Sequence, residues 1–290
     1  MELSPQSNMT GKTCLITGAT SGIGRATARA LAEMGAQLVL VARDRSRGEE
    51  TCGEIQRGTG NRQVELMIAD LSSQQSIREL AAEYLASNRP LHVLINNAGV
   101  VNTSRSLTTD GIETVFAVNH LAYFLLTHLL LDRLTQSAPA RIVNVASDAH
   151  RFGGINFDDL QGARRYRIMR IYGQSKLANI LFTYELARRL TGTGVTVNCL
   201  HPGAVGTRLG HNNGAWARAI IGLLRPFFRT SEQGAATSIF LASSPTVEDV
   251  TGKYFSNSRE TRSSKASYDA AAAQRLWDIS AQMTGVESQP

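Results

Sequence analysis

The stretch TCLITGATSGIG, from Thr13 to Gly24, decides the fold, because an apolar run in it passes directly into a glycine-rich turn. A helical pattern follows the turn, and a second apolar run begins at Leu38. Glycines in such a turn allow a tight bend, bring the backbone close to a pyrophosphate and let the helix pack on the strand. Free N–H groups at the helix start favour an anion. The strand–turn–helix context is the one that a dinucleotide-binding turn requires, so we predict such a site rather than an ordinary loop. Its predicted cofactor-binding residues are Gly18, Thr20, Ser21, Gly22, Ile23 and Gly24.

Apolar runs alternate with helical patterns along the rest of the chain. The runs are rich in Val, Ile and Leu with little polar alternation, as in strands that are buried on both faces. Repetition of strand, helix and strand implies parallel βαβ units. We therefore predict a single doubly wound α/β Rossmann domain over residues 1–290, with a mostly parallel sheet of about seven strands and helices on both faces. The predicted strands are Thr13–Thr17, Leu38–Ala42, Val64–Ala69, Val93–Asn96, Arg141–Ala146, Val195–Leu200 and Lys253–Phe255. The predicted helices are Ile23–Met34, Ser76–Ser87, Gly111–Gln136, Tyr172–Leu190 and Glu232–Ala242.

Two long connections interrupt this rhythm, one between Ser147 and Tyr172 and one spanning about residues 203–231. Long loops in compact domains are often lids or binding loops. The second connection contains Ala215–Phe228, an apolar helical segment with few charges. We predict a substrate loop that covers a lipophilic substrate; plain packing, a subunit contact and weak membrane-surface contact are the alternatives. The polar tail that begins at Ser256 has three candidate docking residues: Leu276, Trp277 and Ile279.

Tyr172 and Lys176 stand four positions apart in the sequence YGQSK. Residues i and i+4 share one helix face, so the ammonium can lie near the phenol. A free phenol has a pKa of about 10, and a nearby cation lowers it by favouring the phenolate. A general acid or base works best with a pKa close to the working pH. The pair therefore indicates a proton-transfer role for Tyr172; the alternative is an exposed Tyr and Lys on a surface helix.

The end of the second predicted strand bears on which dinucleotide is bound. A carboxylate there holds the ribose 2′-hydroxyl of NAD, whereas a nearby Arg accommodates the 2′-phosphate of NADP. Counted from the glycine turn, Ala42 occupies the carboxylate position and Arg43 follows it. A planar guanidinium suits a phosphate in geometry and charge. We therefore predict NADP(H) over NAD(H); a shift of one residue would place Asp44 at the site instead.

Composition narrows the classes of function. The chain has a net charge of +6, but its arginines are spread out and only 6% of its residues are aromatic. A single-strand binder interleaves aromatic side chains, so we predict no nucleic-acid partner. The sequence contains no uncharged apolar stretch of about 20 residues, so we predict no transmembrane helix. The polar N-terminal residues predict neither a signal peptide nor a membrane anchor.

The three cysteines, Cys14, Cys52 and Cys199, are odd in number and far apart. No disulfide framework and no metal-ligand spacing of His or Cys is visible. We therefore predict a reducing cytoplasmic location and no metal site.

The residues quoted above, taken together, resemble the short-chain dehydrogenase/reductase family over roughly Lys12 to Phe255. Within the family the likeness is to the retinol-dehydrogenase-like branch, through the stretches VNHLAYFLLT from Val118 and VASDAH from Val145. The matching motifs are T-G-x-x-x-G-x-G at Thr17–Gly24, D-L at Asp70-Leu71, N-N-A-G at Asn96–Gly99, Asn119, Ser147, Y-x-x-x-K at Tyr172–Lys176 and P-G at Pro202-Gly203.

The resemblance implies roles for these residues. Ser147 would hydrogen-bond the substrate oxygen, Tyr172 would transfer its proton, and Lys176 would hold the nicotinamide ribose and lower the pKa of the phenol. Asn119 would bind a water that links Lys176 to solvent, and Asp70 would contact the adenine. Three alternatives stay open: Ser147 as a loop cap, Asn119 as a satisfied core amide, and Asp70 as a helix N-cap. The further cofactor-binding residues are Arg43, Leu71, Asn97, Ala98, Gly99, Pro202, Gly203, Val205 and Thr207.

The implied function is an NADP(H)-dependent oxidoreductase that interconverts an alcohol and a carbonyl by hydride transfer. Two features depart from the family pattern: Ser21 stands where many NADP-using members have a basic residue, and no N-terminal membrane segment is visible. A non-catalytic dinucleotide-binding scaffold or sensor on the same fold is the alternative, followed by an epimerase or dehydratase. Many relatives pair their two long apolar helices between subunits, which predicts a homodimer or homotetramer.

Overall fold

One sheet of eight strands forms the centre of the protein. The computed structural model describes residues 7–203 and 229–287. The strands are β1 (Thr13–Thr17), β2 (Gln37–Ala42), β3 (Val64–Ile68), β4 (Val93–Asn96), β5 (Ala140–Val145), β6 (Val195–His201), β7 (Lys253–Ser256) and β8 (Arg259–Glu260). Their order is β3-β2-β1-β4-β5-β6-β7-β8, parallel throughout except for β8 on β7. The predicted doubly wound, mostly parallel sheet is confirmed, with eight strands instead of about seven.

The additional strand, β8, was missed because it has only two residues. A turn at Asn257 and Ser258 joins it to β7, and both turn residues have positive φ, of 53° and 57°. Such a turn matches the twist of a hairpin, and its usual signal is a glycine. Asn-Ser lacks that glycine, and two residues are too few to show a strand period.

Seven helices surround the sheet in the described part of the chain. They are α1 (Gly22–Glu33), α2 (Arg45–Thr59), α3 (Gln74–Ala86), α4 (Thr114–Gln136), α5 (Ile168–Arg189), α6 (Ser231–Ser243) and α7 (Ala270–Thr284). The sequence analysis did not predict α2 or α7 as helices. In α2, only Gly48, Thr51, Cys52 and Ile55 are buried, so its apolar stripe is too narrow to give a clear helical period.

The helices pack on both faces of the sheet, as predicted. One apolar cluster joins Leu31 of α1 and Ile55 of α2 to alternate strand residues such as Ile16. The other cluster joins Phe124 of α4 and Phe182 of α5 to the opposite face. Strand side chains alternate between the two faces, so each strand contributes to both cores.

Helix α4 is apolar and long enough to cross a membrane by composition alone, with a hydropathy of 1.5 over its most apolar window. However, 83% of that window is buried inside the protein. Its apolar length therefore reflects its position in the core, between the sheet and α7.

The C-terminal helix α7 lies across α4 and α5 of the same chain. Trp277 packs edge-on against Phe124 at 4.9 Å and stacks on Phe182 at 5.9 Å between ring centroids. The Arg189 guanidinium lies 4.2 Å from the centroid of the Trp277 ring. Leu276 and Trp277 are buried and Ile279 is partly buried, so the three predicted docking residues do pack against the domain.

The strand order reverses at β1, which lies between β2 and β4. In open parallel sheets, ligands bind outside the carboxyl ends of the strands at such a switch point. The glycine turn after β1, Arg43 after β2 and Asn97 after β4 all lie at this edge. Ser147 is the second residue after β5, at the same edge, which brings the predicted catalytic residue to the predicted cofactor site.

Candidate active site

The glycine-rich turn requires its glycines for space as well as for conformation. Gly18 and Gly22 have φ of 66° and 54°, values that residues with a Cβ rarely adopt. A Cβ at Gly18 would lie 2.8 Å from the Ala98 Cα, and a Cβ at Gly24 would overlap the Gly18 carbonyl. The start of α1 is thereby held directly against the ends of β1 and β4.

The first turn of α1 presents backbone N–H groups without a side-chain cap. Ser21 occupies the N-cap position but makes no capping hydrogen bond, and the first turn carries no acidic residue. The first N–H groups of a helix have no intrahelical partner, and the helix dipole adds positive charge there. This arrangement suits an anion such as a pyrophosphate.

Asn97 connects the end of β4 to the glycine turn. Its Nδ2 donates to the carbonyl oxygens of Thr17 at 2.8 Å and of Gly18 at 3.2 Å. The backbone N–H groups of Asn97 and Ala98 donate to Thr17 Oγ1 at 2.9 and 3.1 Å. The Asn97 side chain therefore shapes the turn, while Gly99, two residues further on, lies beside Lys176, since a Cβ there would be 3.5 Å from Lys176 Nζ.

The residues after β2 separate the two cofactor hypotheses. Asp44 is the N-cap of α2, and its carboxylate accepts a hydrogen bond of 3.0 Å from the Arg47 N–H. Arg43 is exposed, and no carboxylate pairs with its guanidinium in the described residues. The capping bond engages Asp44 in the helix start and leaves Arg43 as the charged group facing outward at the strand end.

Asp70 and Leu71 follow β3. Asp70 Oδ1 accepts hydrogen bonds from the N–H and the hydroxyl of Ser72, at 2.9 and 2.8 Å. Its bond to the Ser72 N–H closes the turn ahead of α3, whose own N-cap is Ser73. The alternative that Asp70 is a helix N-cap is therefore wrong, because Asp70 closes the turn before α3 and Ser73 is the N-cap. Leu71 packs its side chain against an apolar core cluster, so only its backbone is available for a cofactor.

Ser147, Tyr172 and Lys176 lie together beyond the end of β5. The Ser147 hydroxyl lies close enough to Tyr172 to lower the pKa of the phenol, and its Oγ accepts from the Ala149 N–H at 3.2 Å. It therefore caps the short turn after β5 and contacts the phenol. Lys176 Nζ donates to the Val145 carbonyl oxygen at 3.0 Å and lies 5.8 Å from the centroid of the Tyr172 ring.

Burial dominates the electrostatics of this group. Desolvation raises the pKa of Tyr172 to about 12, against a lowering contribution from its hydrogen bond with Ser147. Desolvation also lowers the pKa of Lys176 to about 7. Burial therefore dominates the pKa of Tyr172 here, and Lys176 bonds to a backbone carbonyl. The lowering of the Tyr172 pKa by Lys176 beside a bound nucleotide stays a prediction.

Asn119 lies in a π-helical turn, Ala117–Leu121, within α4. Its side chain is 0% exposed. Oδ1 accepts from the Val100 N–H at 2.7 Å, and Nδ2 donates to the Val100 carbonyl oxygen and to Ser175 Oγ, both at 3.0 Å. Both amide hydrogens are thus engaged, which is the core-amide alternative for the side chain. Single π turns often occur at functional sites. This one brings the Asn119 side chain into hydrogen-bond contact with Ser175, the residue before Lys176.

Pro202 and Gly203 follow β6, and Gly203 has a φ of 88°. The predicted cofactor residues Val205 and Thr207 and the apolar segment Ala215–Phe228 lie outside the described residues.

A comparison with known families identifies this arrangement. The family model of short chain dehydrogenase matches residues 12–218, which include the glycine turn, Ser147, Tyr172 and Lys176. The chain belongs to the short-chain dehydrogenase family. The resemblance noted in the sequence is confirmed, and alcohol–carbonyl oxidoreduction is the chemistry that this family supports.

Curated relatives of this dehydrogenase include several retinol dehydrogenases. Retinol dehydrogenase 12 of Mus musculus is 48% identical over 277 residues, which cover 96% of this chain and 87% of that protein. Retinol dehydrogenase 11 of Homo sapiens is 47% identical, with 95% of this chain and 86% of that protein covered. The retinol-dehydrogenase-like branch predicted from the sequence is therefore confirmed.

Solved structures share the fold of the dehydrogenase. An uncharacterized protein from Mycobacterium paratuberculosis superposes with a TM-score of 0.80 at 34% identity, covering 99% of this chain and 97% of that chain. The RhlG/NADP active-site complex of Pseudomonas aeruginosa superposes with a TM-score of 0.70 at 28% identity, covering 87% of this chain and 97% of that chain.

One residue of the dehydrogenase site, Tyr123, was not found from the sequence. Its hydroxyl donates to the Ala98 carbonyl oxygen at 2.7 Å, and its ring centroid lies 5.8 Å from Lys176 Nζ. Desolvation raises its pKa well above 10, so the phenol stays protonated and its uncharged ring lies beside the Lys176 amine. The only signal in the sequence was its position four residues after Asn119, on the same face of α4.

Proposed function

We propose that the protein is an NADP(H)-dependent oxidoreductase that interconverts an alcohol and a carbonyl on a lipophilic substrate. The observation that carries this proposal is the juxtaposition of Ser147, Tyr172 and Lys176 beside the glycine turn at the switch point of the sheet. A phenol, a hydroxyl and an amine beside a nucleotide site are the groups that proton transfer to a substrate oxygen needs.

The residues present fit a dinucleotide. The glycine turn leaves no room for a Cβ, and the uncapped N–H groups of α1 suit the pyrophosphate. Arg43 would meet a ribose 2′-phosphate, and Lys176 would hold the nicotinamide ribose. When bound, NADP(H) supplies the hydride, and the protein supplies position and electrostatics. Two solved family members of similar fold are complexes with NADP, which supports the cofactor type.

Tyr172 would supply or accept the proton in this mechanism. Because burial raises its pKa to about 12, the phenol is protonated at neutral pH and is ready to donate to a developing alkoxide. Ser147, whose hydroxyl lies beside the phenol and lowers its pKa, would hold the same substrate oxygen. The amine of Lys176, with a pKa lowered to about 7, can exchange its own proton near physiological pH.

Two exposed apolar side chains support a lipophilic substrate. Phe152 is 76% exposed and Met169 is 56% exposed. Phe152 ends the turn that begins after Ser147, and Met169 lies three residues before Tyr172 on α5. Contiguous exposed apolar patches mark binding surfaces, so these two side chains are candidates for contact with the substrate, and the relatives are named for retinol, a lipophilic alcohol.

The decisive experiment is turnover of Tyr172→Phe on a panel of lipophilic aldehydes, ketones and alcohols with NADPH and NADH. Loss of a general acid costs roughly 10²- to 10⁴-fold in kcat, and NADPH affinity should stay close to wild type. Tyr84→Phe is the matched control, because Tyr84 is also buried and its hydroxyl donates to the Pro90 carbonyl oxygen ahead of β4, at the opposite end of the sheet. A Tyr172→Phe enzyme with wild-type kcat would remove Tyr172 from the mechanism.

A non-catalytic dinucleotide-binding scaffold is the second candidate, and no turnover on the whole panel with intact NADPH binding would favour it. A cytoplasmic location is part of the proposal, since the cysteines Cys14, Cys52 and Cys199 are free and free thiols persist in reducing compartments. A homodimer or homotetramer through α4 and α5 stays a prediction; in this chain α7 lies across both helices.

A further inference from the structure

His150 is a buried histidine in the turn that follows Ser147. Its side chain is 0% exposed. Its Nδ1 lies 2.6 Å from the Ser147 carbonyl oxygen, and its Nε2 lies 3.0 Å from the Ser264 backbone nitrogen. A carbonyl can only accept and a backbone N–H can only donate. Both contacts therefore require one state of the ring, neutral with its proton on Nδ1.

Asp148, which directly follows Ser147 in this turn, is anchored by residues of β6 and β7. Its backbone N–H donates to His201 Nδ1 at 3.2 Å, and His201 Nε2 lies 3.3 Å from its Oδ2. The Tyr254 hydroxyl donates to its Oδ1 at 3.0 Å. The ring of Tyr254 also packs edge-on against His150 at 5.2 Å between centroids. The ends of β6 and β7 thus hold the turn from one side.

Helix α5 holds the turn from the other side through two glycines. A Cβ at Gly173 would lie 2.6 Å from the Ala149 carbonyl oxygen, and a Cβ at Gly153 would lie 2.9 Å from the Gln174 nitrogen. Gly173 directly follows Tyr172, so the turn that carries Ser147 is in backbone contact with the helix that carries the phenol. A shift of this turn therefore changes the distance between Ser147 and Tyr172.

We propose that neutral His150 is a positioning residue for Ser147, and that protonation of His150 releases the turn and uncouples the Ser147 hydroxyl from Tyr172. This inference rests on the proposed function. The physical reason is the Nε2 contact: a second proton on the ring would face the Ser264 N–H, and two donors cannot share a hydrogen bond. The Asp148 anchor has a histidine of its own: His201 Nδ1 accepts the Asp148 N–H, and burial lowers the pKa of His201 as it does that of His150, so the His150 variants are what separate the two.

Some of the charged and titratable groups around His150 raise its pKa, and others lower it. Burial lowers the pKa of His150, the Ser147 carbonyl and Asp148 raise it, and Arg151 lowers it. Tyr254 packs on the ring. Burial also lowers the pKa of the neighbouring His201; Asp148 raises it, and Arg229, His150 and Arg151 lower it further.

The sign of the pH effect follows from this direction. A histidine whose pKa is lowered by the fold is neutral and in place above its ordinary pKa of about 6.5. Its positioning effect is lost as the pH falls through the lowered value. Turnover should therefore fall on the acid side of pH 6.5 while NADPH binding persists.

Two variants at His150 separate positioning from folding. His150→Phe keeps a ring against Tyr254 but removes both hydrogen bonds. A misplacement of about 1 Å costs up to roughly 100-fold in rate, so kcat should fall by roughly 10- to 100-fold with the NADPH Kd unchanged. In His150→Asn the amide can still donate to the Ser147 carbonyl but does not titrate. Because this variant has no acceptor at the Nε2 position, it also loses the Ser264 contact, so kcat should fall already at neutral pH and the acid limb due to His150 should disappear.

His92→Asn is the matched control. His92 also accepts a backbone N–H, from Thr13 at 3.0 Å, and burial also lowers its pKa. It precedes β4, at the opposite end of the sheet from the site. Its substitution should leave both kcat and the acid limb of the pH profile as in wild type.

The outcomes distinguish the two proposals. A wild-type kcat in His150→Phe, or an unchanged acid limb in His150→Asn, overturns the positioning role. If His150→Phe does not fold, as judged by circular dichroism, the pH profile of His150→Asn decides. An active Tyr172→Phe enzyme rejects the proposed mechanism itself, whereas inactive Tyr172→Phe with an unchanged His150 series rejects only the role of His150.

Discussion

The carboxyl edge of the parallel sheet has two parts, a nucleotide end around the glycine turn and a catalytic end around Tyr172. Different groups make the contacts in each. Around the glycine turn the contacts come from backbone: positive-φ glycines, uncapped N–H groups and carbonyls bound by Asn97. Around Tyr172 they come from side chains: Lys176 and Asn119 are buried, and Ser147 is partly buried. The nucleotide end therefore depends on the absence of side chains, and the catalytic end depends on side chains removed largely from solvent.

The two ends also differ in electrostatics. At the catalytic end desolvation raises the pKa of Tyr172 to about 12 and lowers the pKa of Lys176 to about 7. At the nucleotide end the charged group, Arg43, is exposed, so solvent screens its interactions. Substitutions at the catalytic end should act on turnover and folding, and substitutions at the nucleotide end should act on cofactor affinity.

The largest expected effect tests whether packing holds the catalytic end. Trp277→Ala removes the ring that joins α7 to Phe124 and Phe182, and such a loss costs about 3–5 kcal/mol of unfolding free energy. Chemical denaturation measures it, with Trp277→Phe as the conservative control that loses less. A loss under about 1 kcal/mol would mean that α7 does not stabilise this half of the protein.

A smaller effect tests whether the nucleotide end depends on empty space. A Cβ at Gly24 would overlap the Gly18 carbonyl, and overpacking costs about 1–3 kcal/mol. In Gly24→Ala the NADPH Kd should rise by roughly 10- to 100-fold, the equivalent of that strain. Gly58→Ala is the control, because a Cβ there meets nothing within 4 Å. Equal NADPH affinity in both variants would contradict the close packing at the turn.

The smallest effect concerns which cofactor the nucleotide end prefers. Arg43→Ala should raise the Kd for NADPH about tenfold and leave that for NADH unchanged, since a charge-assisted hydrogen bond is lost. In Asp44→Ala the helix cap is lost at about 1 kcal/mol of stability, with the cofactor ratio unchanged. Isothermal titration with both nucleotides measures this, and a ratio that moves in Asp44→Ala instead would identify the carboxylate as the ribose ligand.

Several features were accessible from local sequence because they have local causes. The glycine turn, the parallel strands and the i, i+4 spacing of Tyr172 and Lys176 follow from backbone sterics and from periodicity. Helix α2 and strand β8 were missed because their signals are weak locally: one is mostly polar and the other has two residues.

The sequence by itself determined the fold, the family and which residues meet at the sheet edge, because strand order and glycine spacing constrain where the strands end. Only the tertiary structure decided the states of those residues. Burial dominated the pKa of Tyr172, a helix cap engaged Asp44, and a nitrogen 114 residues away fixed the tautomer of His150. Desolvation and long-range hydrogen bonds depend on what packs around a side chain, and that information is spread over the whole chain.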